Sequence, residues 1–175
     1  MQDLNDDEMN VGDKPMVPPQ EMTAAEVERA LAEHQLYAES RGRQGRYVDL
    51  ACAIISDFDF SGRDLCDMHF NHSTLSRCRF VGAQLSGATF SHTKAEGCDM
   101  RGADFVKAEL HSSDLRNVCL DDANLTRATL IGCDLRGASL RHADLTGTIV
   151  SECDLRGAEL DQANLSDADL SENQQ

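Results

Sequence analysis

From Leu50 to Leu170 every fifth residue is apolar, and the phase never slips. Most of these positions are Leu; the others are Ile55, Phe60, Phe70, Phe80, Phe90, Ala95, Met100, Phe105 and Val150. Two residues before each stands, in most cases, a small one, as at Ala83, Cys98, Ala123, Cys133 and Ala163, and the remaining positions are mostly polar or Gly. A period of five fits neither common element. In an α-helix five residues advance by ~500°, so successive Leu would walk around the cylinder. In a strand an odd step sends them to opposite faces. Direction must therefore reset within every pentad. The pattern predicts short extended segments joined at corners, with the Leu and the small residue inward and the turns of the coil stacked as parallel strands ~4.8 Å apart.

A second period fixes the number of sides. CDLRG occurs at Cys133 to Gly137 and again at Cys153 to Gly157, with SDLRN at Ser113 to Asn117, a spacing of twenty residues and hence four pentads per turn. With ADL at Ala143 and Ala168, ADF at Ala103, and ANL at Ala123 and Ala163, the chain resembles the pentapeptide-repeat family, whose pattern is A(D/N)LxX. The resemblance implies an all-β solenoid: a right-handed, four-sided parallel β-helix, here of about six coils with an N-terminal capping α-helix. It defines architecture more than function, because one fold hosts many functions.

The pattern divides the chain into an acidic tail over 1–20, a capping helix and lead-in over 21–46, the β-helix over 47–172 and a tail over 173–175. The first segment holds all three prolines and no apolar period, and is expected to be disordered. Thr23 and Glu26 then form a T-x-x-E capping box, Met22 and Val27 are placed for a hydrophobic staple, and Val27, Leu31, His34 and Ala38 recur at helical spacing. Gly42 or Gly45 is expected to end the helix. Its simplest role is to cover the open end of the first coil, and Ala32 to Leu50 also resembles the lead-in found ahead of many pentapeptide repeats.

The early coils are less regular. Phe60 and Phe80 should stack with Met100 above them, and Phe70 with Phe90, while Phe58, Arg63 and Met68 replace the small residue. An unpaired charge is costly inside, so Arg63 should turn outward or lie at the edge near the cap. Ala95 underfills a Leu site, and a bulge or cavity is expected there.

The net charge of −15 disfavours nucleic acid and anionic membrane and favours a protein partner with a basic surface. With no apolar run long enough to span a membrane and no export signal, the expected location is the cytoplasm. Seven cysteines suit a reducing compartment. Cys78 should lie beneath Cys98, and Cys133 beneath Cys153, as free thiols.

Residues twenty apart share a column. Asp114, Asp134 and Asp154 should form one charged ladder and Arg116, Arg136 and Arg156 another beside it, a self-neutralising face. His72 should stack beneath His92 with Cys52 below, and His69 and His111 lie on that side. These residues lie in a line, without HxxH or CxxC spacing, so no metal or other cofactor is expected. Acidity gathers late, in Asp144, Glu152, Glu159, Asp161, Asp167, Asp169 and Glu172, and these are the candidate partner-binding residues. No catalytic motif appears, and a narrow packed rod leaves no room for a substrate pocket. The reading is a non-catalytic interaction rod with an acidic repeat surface, its C-terminal coil open to an end-to-end homodimer. The resemblance implies one alternative: a DNA mimic that binds a type II topoisomerase (gyrase), as quinolone-resistance members of the family do.

Overall fold

The structure, a computed structural model, describes residues 18–41, 43–45 and 47–174. A short strand, β1 (Gln20–Glu21), leads into helix α1 (Ala24–Glu39); then come β2 (Ala53–Ser56), β3 (Thr74–Ser76), β4 (Thr129–Ile131) and β5 (Ile149–Ser151). Between and beyond these strands, single parallel bridges recur at a spacing of twenty. They form four ladders, running Asp59–Arg79–Asp99, Asp64–Gln84–Asp104, His69–Thr89–Glu109 and Lys94–Asp114–Asp134 and onward. Four ladders with one twenty-residue step are four sides of one coil.

The pentad closes through its corner. Every fifth residue from Cys52 to Glu172 has a positive φ, between 53° and 73°. In most pentads a four-residue turn surrounds it, as where Ala83 N–H donates to the Phe80 carbonyl at 3.0 Å. Glycine is the natural occupant, yet many corners hold Asp, Asn, His, Arg or Lys, each at a cost of about 1 kcal/mol. Burying the Leu two residues before the corner returns about 2 kcal/mol, and the ladder bonds between coils add to it, so burial wins wherever that Leu is sealed. The sequence signal for these corners was only the scatter of glycines two residues after the Leu.

Inside, the Leu column and the small column are sealed from Leu50 to about Cys153. Phe60 and Phe80 stack at 4.6 Å and Phe70 and Phe90 at 4.8 Å, with Met100 fully buried beside them. No bulge forms at Ala95. The ladder passes through Thr74, Lys94 and Asp114, and Ala95 N–H donates to the Asp114 carbonyl at 2.9 Å. Peptide groups common to all residues hold the register, and buried Phe90, Met100 and Phe105 flank the short side chain. Toward the C-terminus Leu155, Leu160 and Leu170 are only half-buried and Leu165 is exposed.

One inward column is polar. Thr93 Oγ1 donates to the Phe70 carbonyl at 2.7 Å, Ser113 Oγ to that of Phe90, Cys133 Sγ to that of Leu110, and Cys153 Sγ to that of Leu130 at 3.3 Å. Each bond ties a side chain to the coil before it, which is how a buried hydroxyl or thiol is accommodated without desolvation cost. Burial pushes the Cys98 thiol up to about 12, and burial together with its contact to Cys153 pushes the Cys133 thiol up as well.

At the N-terminal end, the Thr23 hydroxyl accepts from Glu26 N–H at 3.3 Å while Glu26 Oε2 accepts from Thr23 N–H at 2.8 Å, the reciprocal capping box. Val27, Leu31 and His34 are buried, and Val27 and Leu31 join the core cluster. That stripe spans about 10 Å along the helix, enough to cross a coil, and Ala38 beyond it is exposed, contrary to its expected inward place. The helix ends at Glu39, before either expected glycine; Gly42 lies outside the described residues. Ser40 is the cap, its Oγ accepting from Gln44 N–H at 2.8 Å, and Arg41 takes the left-handed conformation. Arg63 turns to α1, where Glu28 takes it in two bonds of 2.9 and 2.6 Å, and its guanidinium lies 5.5 Å from the centre of the Phe58 ring.

Both expected tails are shorter than their boundaries. Residues 1–17 lie outside the described set, but Gln20 pairs in parallel with Ala53. A first coil exposes unpaired peptide groups, and β1 satisfies those of one side, at Cys52 to Ile54. At the other end Asn173 and Gln174 belong to the coil: Gln174 bridges Asp154, and Asn173 occupies the polar column.

Candidate interaction surfaces

The four sides differ in how their charges are used. On the side of Asp114, Asp134 and Asp154 each carboxylate receives two bonds from the Arg two residues on: Arg116 at 2.7 Å, Arg136 at 2.8 and 2.6 Å, and Arg156 at 2.8 and 2.6 Å. Arg116 and Arg136 also reach up a coil, to Asp134 at 3.7 Å and Asp154 at 3.6 Å, and Arg116 reaches down to Glu96 at 2.9 Å. The face is zipped both along and across coils. These guanidinium bonds hold the three carboxyls below their usual range, Asp154 at about 2. A zipped face has little free charge to offer a partner.

The late acidic residues are not gathered on one side. Asp144 lies on the Asp64–Asp104 ladder, where its carboxylate accepts from Thr146 and from Asn164 Nδ2 at 3.2 Å; the Thr146 bonds lower its pKa. Glu159 and Asp161 flank another side and meet Arg141, at 2.6 and 3.7 Å. This partner stands just before the acidic run in the sequence and one coil below it in space. Glu152 and Glu172 occupy successive corners of one column, and Asp167 sits at a corner too. Asp169 is held by the Ser171 backbone and hydroxyl, which lower its pKa. Among the described residues Asp144, Glu152, Asp167, Asp169 and Glu172 make no ion pair, so the surplus negative charge of this end is carried by them.

His72 and His92 stack at 4.8 Å on one corner column, while His69 leans on Tyr47 at 5.3 Å with Asp49 3.8 Å from its Nδ1. Among the described residues no group of three or more His, Cys, Asp or Glu is close enough to hold a metal ion. A narrow apolar void of about 10 Å³ lies inside among Leu130, Leu140, Val150 and Leu160. A groove of about 280 Å³ lies between α1 and the first coil, lined by Glu21, Met22, Glu33 and Asp49 among others.

Parallel ladders at one twenty-residue step around a sealed apolar axis define a four-sided β-helical repeat protein. A model of pentapeptide repeats matches in 8 copies, over residues 53–91, 83–122, 119–157 and 138–172, and the chain belongs to the pentapeptide-repeat family, which forms right-handed four-sided β-helices. Comparison of the whole sequence with curated proteins finds no match. Among solved structures, the pentapeptide-repeat protein Rfr23 of the cyanobacterium Cyanothece 51142 is 16% identical, with 73% of this chain and 88% of that chain covered and a TM-score of 0.40. A pentapeptide-repeat protein of the Arabidopsis thaliana thylakoid lumen is 34% identical over 58% of this chain and 67% of its own, with a TM-score of 0.35. A trypsin-treated form of QnrB1, a plasmid-mediated fluoroquinolone resistance protein, is 21% identical over 70% and 74%, with a TM-score of 0.34.

Proposed function

We propose that this chain is a non-catalytic rod of about six coils that presents an acidic surface to a basic face of a protein partner in the cytoplasm. What supports this reading is the division of its carboxylates. Those beside arginines are neutralised in place, while among the described residues Asp144, Glu152, Asp167, Asp169 and Glu172 make no ion pair around the C-terminal coils. Glu159 and Asp161 complete that surface, sharing Arg141. Helix α1 serves as the cap of the first coil, and the half-buried leucines of the last coil offer themselves to an end-to-end homodimer. Neither nucleic acid nor membrane is a partner on this reading, since both would repel the net charge of −15.

The test is charge reversal on the full chain. Asp161→Lys, Asp167→Lys and Asp169→Lys together should abolish retention of the partner at unchanged circular dichroism, whereas Asp134→Asn on the zipped face should leave it intact. Unchanged retention in the triple variant would mean that the acidic end serves solubility alone. The alternative, a duplex mimic that occupies a topoisomerase, keeps the net charge on its side but must work around the arginines of the zipped face. Failure to inhibit or protect gyrase at low salt would remove it.

A further inference from the structure

The groove at the N-terminal end carries a second surface, independent of the acidic C-terminal coils. Its backbone is the first observation. In later coils the residue just before the inward apolar one turns both peptide groups toward the preceding coil, except at His69, which turns only its carbonyl there: Arg79 N–H donates to the Phe58 carbonyl at 3.0 Å, and the Arg79 carbonyl accepts from Phe60 N–H at 2.7 Å. Thr89 does the same toward Met68 and Phe70. In the first coil Asp49, Asp59 and Asp64 hold this position, and their N–H and C=O meet no backbone partner among the described residues; of the three, Asp49 lines the groove. β1 covers the neighbouring side only, where Gln20 and Met22 N–H donate to the Cys52 and Ile54 carbonyls at 3.0 and 2.9 Å. The edge at Asp49 is therefore open, and it opens into the groove.

The lining is the second observation. Met22, Ala30 and Val48 are half-buried and form an apolar floor, while Glu21, Glu33 and Asp49 stand around it against Arg29. Glu26, also on the wall, is committed to the capping box. An open peptide edge recognises another peptide backbone, and the surplus of carboxylates selects cationic side chains. We propose that the groove takes an extended basic segment of a partner protein, which pairs with the edge at Asp49 as an added strand and lays alternate Lys or Arg side chains against Glu21 and Glu33. Alternate residues of a strand recur at about 6.6 Å on one face, so successive cations of the segment are presented to the same side.

The experiment uses the full chain and a fluorescein-labelled hexapeptide, Lys-Val-Lys-Val-Lys-Val. Binding should be accompanied by new protection of the Asp49 amide from hydrogen exchange. N-methylation of alternate peptide groups keeps the charge and removes the pairing donors, and should weaken binding about tenfold. Glu21→Lys with Glu33→Lys, the first an exposed and the second a half-buried side chain, should weaken it by a similar factor. The proposal is overturned if the hexapeptide fails to bind, if the methylated form binds equally, or if the double reversal changes nothing. Binding that emerges only in a Lys14→Glu variant would assign the groove to this chain's own N-terminal segment and would also overturn it.

Discussion

Asn173 completes the polar column that ends in Cys153: its Oδ1 accepts from Cys153 N–H at 2.8 Å, and its Nδ2 donates to the Val150 and Leu170 carbonyls at 2.7 and 2.9 Å. One coil earlier Cys153 Sγ plays the acceptor part for Cys133 N–H at 3.3 Å. A single amide thus supplies both halves of what the thiol and hydroxyl residues supply below it. Replacing Asn173 by Ala should leave these groups to water and cost about 1 kcal/mol or more. Hydrogen exchange should show faster opening of Val150 to Leu170 with little change near Phe70. Asn173→Asp, which keeps the acceptor and loses the donor, should fall between the two.

Gly45 in the lead-in and Gly82 at a corner of the rod answer differently to a methyl group. At Gly45, φ 69°, an added Cβ would stand 2.4 Å from the Glu33 carbonyl oxygen and 2.8 Å from Tyr37 N, both backbone atoms of α1. Gly82, φ 63°, has nothing within 4 Å. Gly45→Ala should therefore push the lead-in away from the helix and lower the thermal midpoint clearly, while Gly82→Ala should cost only the left-handed strain of about 1 kcal/mol. Equal losses would mean that the lead-in does not rely on its contact with α1.

The zipped face makes stability depend on acid. Guanidinium bonds depress the folded pKa of Asp114, Asp134 and Asp154, so the unfolded chain binds protons first as pH falls. Their contribution is complete above about pH 4 and is lost as pH drops through the folded values, about 2 for Asp154. The thermal midpoint should decline across that window. Arg136→Gln, which removes a bond to Asp134 and a contact with Asp154, should flatten the decline, as read by thermal melts at stepped pH.

Thiol chemistry should divide the cysteines by depth. Cys78, Cys98, Cys133 and Cys153 are buried, whereas Cys52, Cys66 and Cys119 are half-buried. Burial pushes Cys98 up to about 12, and burial with the neighbouring Asp64 pushes Cys66 up to about 11, so both are poor nucleophiles at neutral pH. Iodoacetamide labelling followed by peptide mass spectrometry should modify the three outer cysteines before the inner four, and the inner four only at the rate of unfolding.

The candidate surface was less legible than the rod. Column membership of Asp114 with Asp134 and Asp154 followed from spacing, because the repeat converts sequence distance into spatial distance. The pairing of Glu159 and Asp161 with Arg141 did not, since it depends on which way long side chains turn at one corner. Likewise the late carboxylates read as one cluster along the chain but face several sides once the chain winds. The groove at Asp49 was invisible, because it arises between a helix and a coil whose mutual placement no periodicity describes.

By itself the sequence determined the period of five, the period of twenty, the inward residues and the capping box of α1. These are consequences of which side chains avoid water and of local bonds within four residues. Only the tertiary structure decided that β1 pairs with Ala53 and Ile54, that Asn173 continues a column of buried donors, that Glu28 receives Arg63, and that Ala95 leaves the ladder straight. In those places the outcome is set by peptide groups and side chains brought together from distant coils, and nothing in the local pattern records who meets whom.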